Sequence, residues 1–168
     1  MHPLLRLPPE APELAQAWAE ACFDPRVDAE IRAVHAACAE QVAQARPLCI
    51  ASGQCCRFEA YGHRLHVTGL EAAWSLRQLG ATPTMPDLRA AVQRGDCPFL
   101  HGSQCGAHAA RPVGCRTFYC DPAAQTWQQD LSERLHNRIR ALHDALDIPY
   151  RYGDWRTMLA YFADQEPG

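Results

Sequence analysis

Apolar residues recur along much of the chain at spacings of three and four, the mark of helices with one buried face. Residues 12–22 and 28–45 are rich in Ala, Glu and Gln, strong helix formers, with Pro or Asp at their starts. In the second stretch Ile31, Val34, Cys38 and Val42 form one stripe. Pro25 breaks the chain between these helices, and Pro47 ends the second. Thr68-Gly69-Leu70-Glu71 has the form of a capping box, predicting a helix that runs to about Leu79 and stops at Gly80. A Pro-containing link over 81–86 leads to a short helix around 87–93. The longest predicted helix spans 124–146, with Leu131, Leu135, Ile139, Leu142 and Leu146 on one stripe. A short helix over 155–162 closes the chain. Trp18, Trp74, Trp127 and Trp155 read as packing anchors between helices.

Two stretches lack any helical period. Residues 49–58 combine Ser, Gly and two adjacent cysteines and predict a ligand loop. Residues 97–120 carry Pro98, Gly102, Gly106, Pro112 and Gly114, which predicts turns and short extended pieces. Between them, residues 65–68 suit a short strand. The expected fold is mainly α: a small helical domain wrapped around an irregular, cysteine-rich metal-binding core with one or two short strands. A single domain over 1–168 is expected, with N-terminal helices over 1–46, the cysteine-cluster core over 47–121 and C-terminal helices over 122–168.

Composition narrows the function. At 168 residues the chain is long enough to bury a core without staples, and 48% hydrophobic with 21% charged residues is close to the globular average. A net charge of −3 gives no electrostatic footprint for nucleic acid. Apolar runs are interrupted every few residues by Arg, Glu, Gln or His, far short of the ~18 that span a bilayer. The opening ten residues lack the apolar core of a secretory signal, so a cytoplasmic location is expected.

Nine cysteines in such a compartment call for an explanation other than disulfides, which are rare there and cannot use up an odd number. Seven fall in the middle stretch: Cys49, Cys55, Cys56, Cys97, Cys105, Cys115 and Cys120. Thiolates are soft ligands favoured by zinc and by iron–sulfur clusters. Irregular loops suit them, because four ligands must converge tetrahedrally. The spacing Cys115-x4-Cys120 lies in the range of zinc knuckles, and Cys49-x5-Cys55 is slightly wide. Adjacent Cys55 and Cys56 leave three readings open: a sharp backbone bend, service to two different centres, or a single ligand between them. Arg57, Arg111 and Arg116 flank the cysteines and are suited to offset the charge of a thiolate centre. Many mutually close cysteines fit chelation better than a solitary cysteine nucleophile.

Other candidates have blander explanations. Cys22 and Cys38 read as small buried hydrophobes, and His35 as packing beside Cys38. His101 and His108 read as exposed turn residues, His63 and His66 as flanks of the strand, and His136 and His143 as surface residues of the long helix.

The segment Cys49-Ile50-Ala51-Ser52-Gly53-Gln54-Cys55-Cys56-Arg57 resembles the Cys-x-x-Cys-Gly-x-Cys-Cys opening of the YkgJ-type cysteine-cluster proteins. Cys97-Pro98-Phe99-Leu100, Cys105, and Arg111-Pro112-Val113-Gly114-Cys115-Arg116-Thr117-Phe118 with Cys120 are similar to that family's second block. The likeness spans roughly 49–120. It implies a zinc- or iron-chelating domain with the seven central cysteines as the ligand pool. It departs at Ser52, where the family usually has cysteine, so the usual set of eight thiolates is at most seven here. A three-cysteine iron centre with one open position is one reading of that departure. The family is also distantly similar to flagellin lysine N-methylase, a much longer protein. The resemblance thus implies a metal-binding protein or, alternatively, an iron–sulfur enzyme or electron carrier related to protein lysine N-methylation.

Overall fold

The computed structural model describes residue 7 and residues 9–49 and 52–164. Most of the opening ten residues on which the secretory signal is excluded, and Ile50 and Ala51 of the ligand loop, lie outside these. Helix accounts for 61% and strand for 6%, so the protein is mainly α with short strands.

Helix α1, Leu14–Ala21, is followed after a tight break by α2, Pro25–Ala45. Pro25 opens α2 as its first residue, and Asp24 caps it by accepting the Arg26 N–H; the helix thus begins three residues before the sequence pattern suggests. Helix α3, Phe58–Tyr61, is a single turn. Strand β1, His66–Thr68, feeds directly into α4, Gly69–Leu79, through the predicted capping box, with both reciprocal bonds formed between Thr68 and Glu71. Helix α5, Met85–Arg94, repeats the device with Thr84 and Asp87. Helix α6, Val113–Thr117, is short, α7 spans Gln125–Ala145, and α8 spans Trp155–Ala160.

The strands form two small antiparallel ladders. β1 pairs with β4, Tyr152–Asp154, in the register His66 with Asp154 and Thr68 with Tyr152. The ladder continues past its ends: Gly69 N–H donates to the Arg151 carbonyl and Trp155 N–H to that of Leu65. β2, Leu100–His101, turns back on β3, Gln104–Cys105. Of these strands, the sequence pattern signals only β1.

One connected apolar cluster joins α1, α2, α4, α7 and α8. Trp18 of α1 lies against Gly69, where a Cβ would sit 2.4 Å from the indole. Its Nε1–H donates to the Pro149 carbonyl at 2.7 Å, which pins the α7–β4 connection onto α1. Trp74 of α4 donates to Asp28 of α2 at 2.9 Å, and Arg138 of α7 pairs with Glu30 of α2 at 2.8 Å. Cys22 and Cys38 are fully buried in this cluster, as expected for small hydrophobes. His143 departs from expectation. It is buried, because the chain after Asp147 folds back and presents the carbonyls of Ile148 and Pro149 to its Nδ1. Among the described residues no helix is long and apolar enough to cross a membrane.

Candidate functional site

The two cysteine blocks meet on one side of this helical frame. Gly53 adopts a left-handed conformation (φ 75°) that turns the chain into a 3₁₀ turn, Gln54–Cys56. A Cβ there would press within 3.1 Å of the Ser103 carbonyl, so glycine also lets the first block lie close on the second. The blocks are stitched by main chain: the Cys97 N–H donates to the Cys56 carbonyl at 2.7 Å. Leu100 N–H then returns to the Cys97 carbonyl, and Leu100 faces Cys105 in the β2–β3 ladder. The loops contain more regular structure than their composition suggests, in the 3₁₀ turn, α3, the small ladder and α6.

The result is a group of thiols from three separate segments. Cys56 lies close enough to Cys105, Cys55 and Cys97 for their thiols to raise its pKa. Cys115, at the middle of α6, lies close enough to feel the charges of Cys97, Cys105 and Cys55. Cys56 and Cys97 are buried, Cys105 and Cys115 half-buried, and Cys55 exposed. Side chains in a 3₁₀ turn step by about a third of a revolution per residue, so Cys55 and Cys56 point in different directions. Hence Cys56 faces the inner thiols, whereas Cys55 also lines an outer pocket of about 220 Å³ with Cys49, Ser52 and Cys120.

Proton positions follow from this packing. Cys56 keeps its proton, its pKa raised by hydrogen bonding to Cys105, Cys55 and Cys97. Those same bonds from Cys56 lower Cys105 to about 6 and Cys55 to about 7. Burial pushes the Cys115 thiol well above its ordinary value. By contrast, burial raises Cys22 to about 11, which suits an inert core residue.

The arginines divide the work. Arg116 spans the turn before α6 by donating to the carbonyls of Arg111 (2.8 Å) and Ala109 (3.0 Å). Arg57 reaches the Gly102 carbonyl at the tip of the β2–β3 turn. Arg111 is the cation that favours the thiolate forms of Cys55, Cys105 and Cys115, and its Nε has no protein acceptor.

Two carboxylates that motif reading did not assign to the site hold it in place. Glu71, fully enclosed, accepts from Thr68 N–H and hydroxyl through one oxygen. Through the other it accepts the N–H of Val113 at 3.2 Å, fixing the start of the helix that carries Cys115. Desolvation raises the Glu71 pKa. Asp121 accepts the Leu48 N–H at 3.2 Å and so ties the chain before Cys49 to the chain after Cys120. The capping box points to Glu71, but nothing local signals its second bond.

A larger groove of about 470 Å³ lies beyond the outer pocket and shares Phe118 with it as a wall. His63 stacks on Phe118 with ring centroids 3.8 Å apart, and His66, His136, Tyr152 and Gln129 line the rest. His101 and His108 are exposed, as expected, but not in turns: His101 ends β2 and His108 opens a short 3₁₀ helix.

Among the described residues, no three His, Cys, Asp or Glu side chains stand in a metal-ligating arrangement. No cysteine is in a disulfide. By type the thiols are soft donors, with Cys55 and Cys105 lowered in pKa and Cys56, Cys115 and Cys120 raised. No family model, curated protein or solved structure matches the chain.

Proposed function

We propose that this protein is a metal-binding protein of the cysteine-cluster type, related to the YkgJ-type family, that chelates zinc or an iron–sulfur cluster through cysteine thiolates. One observation carries the reading: a main-chain bond stitches the two cysteine blocks together at Cys97 and Cys56, and Cys49, Cys55 and Cys120 line one pocket beside that junction. Depressed pKa values reduce the proton cost of ligation at Cys55 and Cys105, whereas Cys56, Cys115 and Cys120 would have to release protons they hold more tightly. Cys49, Cys55, Cys56, Cys97, Cys105, Cys115 and Cys120 form the ligand pool. Such a centre would order the loops and, if iron–sulfur, supply electron transfer.

The second reading is an iron–sulfur enzyme or electron carrier. The groove that shares Phe118 with the thiol pocket favours it, since a substrate lying there would reach the pocket's edge. Lysine N-methylation is one activity consistent with the resemblance.

The test is metal and acid-labile sulfide content, with a visible spectrum, of protein purified without oxygen. Stoichiometric zinc without sulfide supports the chelating reading. Iron with sulfide and a broad visible absorption supports the cluster form and keeps the second reading open. Protein that holds neither, and takes up neither on anaerobic reconstitution, refutes the proposal.

A further inference from the structure

Three exposed thiols, those of Cys49, Cys55 and Cys120, line the outer pocket of about 220 Å³. Two of them are held near each other by their neighbours in the chain. Leu48, just before Cys49, donates its N–H to the carboxylate of Asp121, just after Cys120, at 3.2 Å. Both cysteines sit in irregular chain, Cys49 beyond the end of α2 and Cys120 in the bend between α6 and the 3₁₀ turn that leads into α7. Cys55 is placed differently. It lies inside a 3₁₀ turn whose next residue, Cys56, is bonded to the Gly53 carbonyl and to the Cys97 N–H.

From this placement we infer that the outer pocket is a site of reversible thiol oxidation, in which Cys49 and Cys120 join as a disulfide when a low-molecular-weight disulfide reaches them. The inference needs no metal and stands apart from the metal-binding reading.

Reach and access select this pair. A disulfide needs the two Cα atoms about 4.4–6.8 Å apart. The Leu48–Asp121 bond already holds the flanking residues together, and the irregular chain at both cysteines supplies the remaining adjustment. The turn that carries Cys55 would have to give up its main-chain bonds to make the same approach. Leu48, beside the pocket, is 67% exposed, so a small reagent can enter. In the reaction one cysteine thiolate attacks the reagent, forms a mixed disulfide and releases one reagent thiolate. The other cysteine attacks the protein sulfur of that mixed disulfide and releases the second. Two thiol protons and two electrons thus pass from the cysteines to the reagent. The bond would close a loop over 49–120 that holds Cys55, Cys56, Cys97, Cys105 and Cys115. Exposed disulfides of this kind are readily reduced again, as redox-sensing bonds in reducing compartments are.

The experiment uses the full chain, stripped of metal by a chelator and fully reduced, then incubated with glutathione disulfide. Free thiols are counted, and linked peptides are identified by mass spectrometry with fragment ions that separate Cys49 from Cys55. The expected result is the loss of two of the nine thiols, a dominant Cys49–Cys120 link, and recovery of both thiols with dithiothreitol. Cys49→Ser and Cys120→Ser should each abolish the link, whereas Cys55→Ser should keep it. A dominant link through Cys55, a scatter of pairs, a glutathione adduct that never resolves, or no loss of thiols would each overturn the inference. None of these outcomes bears on metal uptake by the reduced protein, which the metal and sulfide content decides separately.

Discussion

The helical frame and the cysteine loops are built on opposite terms. In the frame, several helix ends have a partner: Asp24, Thr68 and Thr84 cap the starts of α2, α4 and α5, and Gly80 and Gly95 stop two of them. Its centre is filled by fully buried Trp18, Ile31, Leu70, Ile139, Trp155 and Leu159. The loops from 52 to 61 and 97 to 120 have little of this. Apart from Phe58 their buried side chains are small or medium-sized, Cys56, Cys97, Ala107, Ala110, Val113 and Thr117 among them, and their order rests on a few main-chain bonds and arginine–carbonyl contacts. The frame carries its own burial energy, whereas the loops present donors for something else to complete. On that reading the two regions respond differently to the same insult.

Metal removal should divide them most sharply. Structural zinc sites contribute on the order of 10 kcal/mol to the segments they order. Chelation, or Cys115→Ala, is therefore expected to abolish hydrogen-exchange protection across 97–120 while α2 and α7 stay protected. Cys22→Ala, which removes a thiol from the frame, should leave metal content unchanged. Equal metal retention in Cys115→Ala and Cys22→Ala would erase the distinction.

The reverse insult is Trp18→Ala. It empties a site enclosed by Gly69, Tyr161 and Phe162 and removes the bond to Pro149. A loss of about 3–5 kcal/mol is expected from urea unfolding. The loss should be the same for loaded and chelated protein. A loss that depended on the metal would mean that the frame and the loops form one cooperative unit.

Glu71 is the joint between them. Glu71→Ala removes the acceptor for buried N–H groups of Thr68 and Val113, at a cost on the order of 2–3 kcal/mol. Because Val113 begins the helix that carries Cys115, metal affinity should also fall, by roughly 10–100-fold as for other supports of ligand residues. A stability loss with unchanged affinity would make Glu71 a capping residue of α4 and nothing more.

Legibility in the sequence divides along the same line. Helices were readable because caps and apolar stripes are local signals: the Thr68–Glu71 box and the Leu131–Leu142 stripe reappear as bonds and buried faces. β4 was not, because Tyr-Gly-Asp has no alternating pattern and becomes a strand only by finding β1 far along the chain. His143 was misplaced for a similar reason: its helix stripe says nothing of a returning loop that covers it. In the cysteine loops, motif order picks out the seven cysteines expected as ligands, but the separation of Cys55 from Cys56 depends on a 3₁₀ turn that Gly53 starts. Spacing alone left that question open. The bonds from Glu71 to Val113 and from Asp121 to Leu48 cross between blocks and leave no mark in either.

The smallest expected effect, and the one confined to the frame, is acid sensitivity. His35 sits edge-on to Trp74, and burial lowers its pKa from 6.5 to about 3, with Arg116, Arg32 and Arg111 acting in the same direction. Burial likewise lowers His63 to about 4. Between these folded values and 6.5 the unfolded chain binds more protons than the folded one, so stability falls as pH falls through that window. Glu71 has the opposite sign: its raised pKa lets the folded state take up a proton first, which offsets part of the loss on acidification. His35→Leu cannot titrate and keeps the apolar contact with Trp74. The urea midpoint of the unaltered protein should therefore drop further between pH 6.5 and about 4 than that of the variant. An equal drop in both would move the acid sensitivity out of the α2–α4 contact, to other histidines whose pKa burial lowers, His63 beside Phe118 and His143 at the end of α7. A His63→Leu variant would then divide the two, since a drop it removes belongs to the wall of the thiol pocket and a drop it leaves belongs to the frame.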